Sequence, residues 1–145
     1  MDYREGRIGR VFAVRFDHGD DFLEELTALA RRERIGCAWF HLLGGIRRAE
    51  VVTGPKEPTM PPEPVWHRIV DPHEVVGMGS IFFDGETPKI HLHTVLGHHG
   101  QTLCACMRGS TEVYLILEAY ITEITGIAAA RPFFPEGGFH RVVFG

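Results

Sequence analysis

The feature that most constrains this chain is the way glycine and proline punctuate it from Cys37 onward. CAWFHLLGG, IRRAEVVTG, Trp66–Val70, Val75–Phe83, Lys89–Leu96, Thr102–Arg108, Glu112–Glu123 and Ala128–Arg131 are short, rich in β-branched or aromatic residues, and bounded by glycine or proline turns. A proline-rich loop from Pro55 to Pro64 interrupts them, and no helix or central strand would tolerate it. Antiparallel hairpins joined by short turns are the expected connectivity. Ahead of them, Arg7 to Phe16 alternates Ile8, Phe12, Val14 and Phe16 with smaller or polar residues, as a strand with one apolar face does. Asp21 followed by Glu24 has the form of a capping box. Phe22, Leu23, Leu26, Leu29 and Ala30 then recur at helical spacing up to Gly36, a suitable C-cap, so the one expected helix covers about residues 21–35. The expectation is a single domain over residues 1–145 of the α/β class (α+β type), with a mainly antiparallel sheet flanked by that helix and a last short strand in PFFPEGGFHRVVFG.

With 145 residues, 44% of them hydrophobic and 23% charged, the chain can bury one core without disulfides or a metal staple. Any metal would then be optional for folding. The formal charge of −4, from 15 Lys+Arg against 19 Asp+Glu, removes any general attraction for a phosphate backbone. Arg31, Arg32, Arg34, Arg47 and Arg48 are the only basic cluster, and the first three suit a helix C-terminus. MDYREGRIGRVFAV lacks the apolar core of a signal peptide, and the longest apolar run, VYLIL, ends before Glu118. A cytoplasmic protein without membrane contact is expected, and its three cysteines are read as thiols.

IHLHTVLGHHG, residues Ile90–Gly100, carries four of the nine histidines, and Cys104 and Cys106 follow it. Alternation along a strand puts His91 and His93 on one face, with Leu92 on the other. A turn through Gly97–Gly100 would set Leu96 opposite Gln101, His93 opposite Cys104 and His91 opposite Cys106. Directly opposed Cβ atoms lie roughly 4.5–5.5 Å apart, close enough for imidazole and thiolate to share an ion. Such donors suit Zn²⁺ first, then Fe, Ni or Cu. His91 and His93 are the expected ligand pair and Cys106 the third ligand; Cys104 reads first as a small packed hydrophobe, and His98 and His99 as solvated turn residues. A bulge or a one-residue slip would move both cysteines to the other face.

KIHLHTVLGHHGQTLCACMRGSTEVYLILEAYITEI resembles the plant and prokaryote conserved (PPC) domain. Members of that family carry a paired-histidine strand, a turn, a strand with a further His or Cys, and an apolar strand containing a glutamate; here these are His91, His93, Cys106 and Glu118. DPHEVVGMGSIFFDG, with His73, Glu74, Gly77 and Gly79, resembles the preceding strand of the bacterial branch. The resemblance implies a compact α/β domain that assembles as a homotrimer, and a link to DNA binding. The arginine-glycine-arginine-proline arm of the plant relatives is absent from this sequence.

Glu118 shares its strand face with Tyr114, Ile116 and Tyr120. It reads either as a solvated edge glutamate or as a partner for the second nitrogen of a ligating histidine. His73, after Pro72, is a turn residue or a low-ranking metal ligand. Gly77 and Gly79 would let another backbone or a ligand approach closely. Three function classes follow: a metal-binding protein, zinc first, with a regulatory or DNA-linked role; a metal-dependent enzyme using Glu118 or His73 as proton shuttle; and a DNA-binding module. No nucleophile triad, phosphate-binding glycine loop or His-Glu-x-x-His helix is present.

Overall fold

The computed structural model describes all 145 residues. It consists of β1 (Arg7–Asp17), α1 (Phe22–Glu33), β2 (Cys37–Pro55), β3 (Pro64–Ile69), β4 (His73–Asp84), β5 (Thr87–His98) and β6 (Gln101–Thr125), followed by the two-residue strands β7 (Ala129–Ala130), β8 (Phe133–Phe134), β9 (Phe139–His140) and β10 (Val143–Phe144). Strand accounts for 65% of the chain and helix for 8%, which overturns the α/β class expected from the sequence. The reason lies in β2 and β6. Segments separated in the sequence reading by Gly44-Gly45 and by Gly109-Ser110 are continuous, giving strands of 19 and 25 residues beside a 12-residue helix.

Glycine serves here as a bulge residue instead of a turn. β2 and β6 pair antiparallel from Ala38↔Glu123 to Val52↔Cys106, with register shifts at Gly44/Gly45, Ile46/Arg48, Arg48/Glu50 and Glu50/Val51. Gly44 has φ +140°, and a Cβ there would collide with the Ile116 carbonyl oxygen. Ser110 (φ 51°) and Leu115 (φ 62°) take up the matching irregularities on β6. Because β6 also pairs with β5, β5 with β4, and β4 with β2, these four strands form a closed circuit. β1 pairs with the second half of β6, and β3 with the second half of β2.

Closure gives the sheet an inside and an outside. Phe40, Leu42, Ile46, Ile81, Leu92, Leu96, Leu117 and Ile121 face inward and meet Phe22, Leu26 and Ala30 of α1. The helix begins at Asp21, whose carboxylate accepts from the Glu24 N–H (3.2 Å) and from both the backbone N–H and the hydroxyl of buried Thr111. The Thr111 hydroxyl oxygen in turn accepts from the Leu23 N–H, so the cap ties the helix to β6 as well as satisfying its free donors. The helix ends at Arg34, in the left-handed region at φ 52°, two residues before the expected Gly36. Arg10 on β1 and Glu123 on β6 are joined by a two-point ion pair that holds the Glu123 carboxyl below the usual range.

On the outer face, three cross-strand rows run side by side: Tyr120–His41–Met78–His93–Cys106, Glu118–Leu43–Val76–Val95–Cys104 and Thr122–Trp39–Ser80–His91. Gly79 lies beneath them on the inward side, where an added Cβ would strike the Phe40 ring. The Gly79→Ala variant is expected to displace that ring and lose about 1–3 kcal/mol of stability; urea unfolding with an unchanged midpoint would show that the ring has room to move.

Candidate metal centre

The β5–β6 hairpin turns more tightly than the sequence spacing suggested. His98 pairs with Gln101, leaving only His99 (φ 46°) and Gly100 (φ 80°) in the turn, the positive-φ pair that a two-residue hairpin with right-handed twist requires. The register therefore differs by two from the expected one: His93 faces Cys106 directly, and Cys104 faces Val95. An even shift preserves parity, so the histidines and both thiols remain on the outer face.

The result is a cluster of three donors. His91, His93 and Cys106 bring their ligand atoms within 4.8 Å of one another, with the two Nε2 atoms 3.0 Å apart. Two nitrogens bound tetrahedrally at about 2.0–2.1 Å stand roughly 3.3 Å from each other, so the imidazoles are already near chelating separation. In the metal-free chain one ring must donate its Nε2–H to the other. Cys106 is buried at 6% exposure, whereas both histidines reach solvent. Nitrogen and sulfur donors in this number fit a borderline transition metal and leave a coordination position to be filled.

The electrostatics around the cluster are positive. His91 is pushed down to about 4, first by burial and then by the charges of Arg131, His93 and Arg108. Burial also raises the Cys106 thiol, partly offset by Arg108 and by a backbone hydrogen bond from Leu92. The His91 ring is therefore neutral at physiological pH, the state a metal ligand needs, while Cys106 would have to give up a proton to act as one. A cavity of about 360 Å³ opens on the three donors; its walls include the β2 end from Val52 to Pro55, Pro62 and Pro64 of the proline-rich loop, and Arg108.

The other expected residues lie elsewhere. Glu118 accepts from the Tyr120 hydroxyl at 2.7 Å, opposite Arg15 on β1 and Leu43 on β2. Three strand spacings, roughly 14 Å, separate it from Val95, so it does not meet the histidines of its own chain. His73 donates its Nδ1–H to the Asp71 carbonyl (2.6 Å) and stacks on His98, with ring centroids 4.7 Å apart, at the far end of the β4–β5 pair. Cys104 is exposed, and His41 packs edge-on against Trp39. Sequence reasoning missed Arg108 and Arg131. Arg108 was within reach, because it continues the 104, 106 parity of β6; Arg131, beyond the last long strand, had no such signal.

His91 carries a pH consequence. Its folded value lies below its ordinary one, so its neutral form supports the metal-free fold fully above about pH 6.5, and that support is lost as pH falls toward about 4. In metal-free protein the His91 ring should titrate near 4 by NMR; an ordinary imidazole midpoint would contradict its desolvation.

A family model, the Plants and Prokaryotes Conserved (PCC) domain, matches residues 3–125. No functionally curated protein has a matching sequence. Among solved structures, the metal-containing protein AF0104 from Archaeoglobus fulgidus superposes with a TM-score of 0.85 at 22% identity, covering 99% of each chain. A plant- and prokaryote-conserved (PPC) protein from Pyrococcus horikoshii gives 0.83 at 19% identity over 97% of this chain and 96% of that one. A candidate DNA-binding protein from Bacteroides thetaiotaomicron gives 0.77 at 15% identity, over 96% and 97%. At these identities the superpositions establish a shared fold, and the family match establishes membership: the chain belongs to the Plants and Prokaryotes Conserved (PCC) domain family.

Proposed function

We propose that this chain is a small metal-binding protein that holds one divalent transition-metal ion, zinc first, through His91, His93 and Cys106. The observation that carries this reading is the convergence of two imidazoles and a buried thiol within 4.8 Å on the outer face of the sheet. The description of the Archaeoglobus fulgidus relative as metal-containing supports it. Protein purified without a polyhistidine tag should hold about one equivalent of metal per chain by elemental analysis. His91→Ala/His93→Ala should lose nearly all of it, Cys106→Ala most, and Cys104→Ala little. Equal metal content in wild type and the double variant would sink the reading.

The same face suggests the assembly. Trp39, Leu43, Val76, Met78, Val95 and Tyr120 are all at least 40% exposed and occupy adjacent positions in the cross-strand rows. A contiguous apolar strip of this kind favours self-association, and a homotrimer is the form that the family resemblance implies. The Met78→Glu variant should lower the mass measured by light scattering from trimer to monomer with the circular dichroism unchanged. A trimer in both proteins would place the interface elsewhere.

The cavity beside the donors favours a second reading, a metal-dependent enzyme acting on a small molecule. Because Glu118 and His73 stand away from the cluster, any base would come from the metal's own ligand sphere or from a neighbouring subunit. A regulatory role on DNA draws on the description of the Bacteroides thetaiotaomicron relative. Against it stand the −4 charge and the pairing of Arg47 and Arg48 with Glu112, which neutralises part of the only basic cluster. Duplex binding at physiological salt is expected to be weak, and submicromolar, salt-sensitive affinity would reverse that judgement.

A further inference from the structure

Two guanidinium groups beside the three donors lack a carboxylate. Arg10, Arg47, Arg48 and Arg68 each sit on a glutamate, whereas Arg108 lines the cavity without an ion-pair partner. Arg131 is 5% exposed and lies over the Phe82 ring. Its Nη2 donates to the Ser80 hydroxyl at 2.8 Å, and Ser80 faces His91 across the β4–β5 ladder. Its Nε and Nη1 are buried without any partner. A buried cation left uncompensated is costly, so its surroundings favour a nearby negative charge.

The cavity adds shape to this charge. About 360 Å³ accommodates a molecule of a few heavy atoms, and the walls away from the donors are largely apolar. One lining arginine set among prolines and valine suits a monoanion with a hydrocarbon body better than a hydrated dianion such as phosphate. A carboxylate also matches the planar fork of arginine and is a good oxygen ligand for a borderline metal.

We propose that the cavity binds a small organic carboxylate, whose charged end lies between Arg108 and the open coordination position at His91, His93 and Cys106, and whose apolar body lies against Val52, Pro62 and Pro64. This rests on the metal-binding reading of the three donors. Arg108 is the residue that contacts the ligand. Arg131, behind His91, contributes potential without lining the cavity.

The test uses Co²⁺-loaded protein of known metal content, titrated with butyrate while the visible Co²⁺ spectrum is followed. A saturable change is expected, 1-butanol should produce none, and inorganic phosphate should act only at much higher concentration. Arg108→Gln, an exposed position that should fold normally, is expected to keep its metal and need on the order of tenfold more butyrate. No spectral change in metal-loaded wild type, or the same butyrate dependence in Arg108→Gln, would overturn the proposal. If the protein takes up no Co²⁺, the metal reading falls, and calorimetry of butyrate with the metal-free protein decides the rest. Heat that is lost in Arg108→Gln would preserve the carboxylate subsite, and absence of heat would end it.

Discussion

Pairing of β2 with β6 organises this molecule. Each of these long strands is bent by bulges, so that one half joins one neighbour and the other half joins another, and the circuit through β4 and β5 closes around the buried side chains. Once the sheet is closed, parity assigns every residue of β4, β5 and the first part of β6 to the core or to the outer face. Leu92 and Leu96 go inward to meet the helix, and His91, His93 and Val95 go outward. The Asp21–Thr111 contacts then secure the helix to the same strand that carries Cys106.

Within that frame, the donor cluster depends on a turn of two residues. His99 and Gly100 both adopt positive φ, which brings Cys106 opposite His93 and leaves Cys104 two residues out of step. The proline-rich loop supplies a wall for the space in front of the donors: Pro55 and Pro64 face each other at the end of the β2–β3 ladder, only the Lys56 N–H to Glu63 carbonyl bond crosses beyond them, and Pro58, Pro61 and Pro62 offer no N–H to continue it. Burial, and after it the positive charge of Arg131 and Arg108, keeps His91 unprotonated; at Cys106 burial favours the thiol and Arg108 partly offsets it toward thiolate. Neutral imidazoles and a thiol that ionises on binding are the states in which such side chains bind a metal.

Much of this was legible in the sequence. Strand alternation alone selected His91 and His93, and the even spacing of 91, 93, 104 and 106 survived a register error of two because parity is unchanged by it. The identity of the facing cysteine was not legible from pairing, since it depends on whether His98 and Gly97 belong to the turn or to the strand. The α/β expectation failed for a related reason: Gly44-Gly45 and Gly109-Ser110 look like turns in a sequence and act as bulges in a sheet whose other strands hold them in line. At the end of α1, Arg34 takes the left-handed cap expected at Gly36; the Ile35 N–H bonds back to the Ala30 carbonyl and the Ile35 side chain is fully buried in the core, so tertiary packing accompanies a cap that local preference would have put two residues later. Arg131 could not have been found, as its position beside Ser80 is set by a backbone bond to Phe83 that no pattern announces.

The central claim is that the outer face of β5 and β6 holds a metal through three named side chains. Anomalous diffraction from crystals of tag-free protein, collected on both sides of the absorption edge of zinc, tests it most directly. The account predicts one peak per chain within bonding distance of His91 Nε2, His93 Nε2 and Cys106 Sγ, with its remaining coordination position facing the cavity. A cluster with no peak, in crystals of protein grown with zinc supplied, would contradict it.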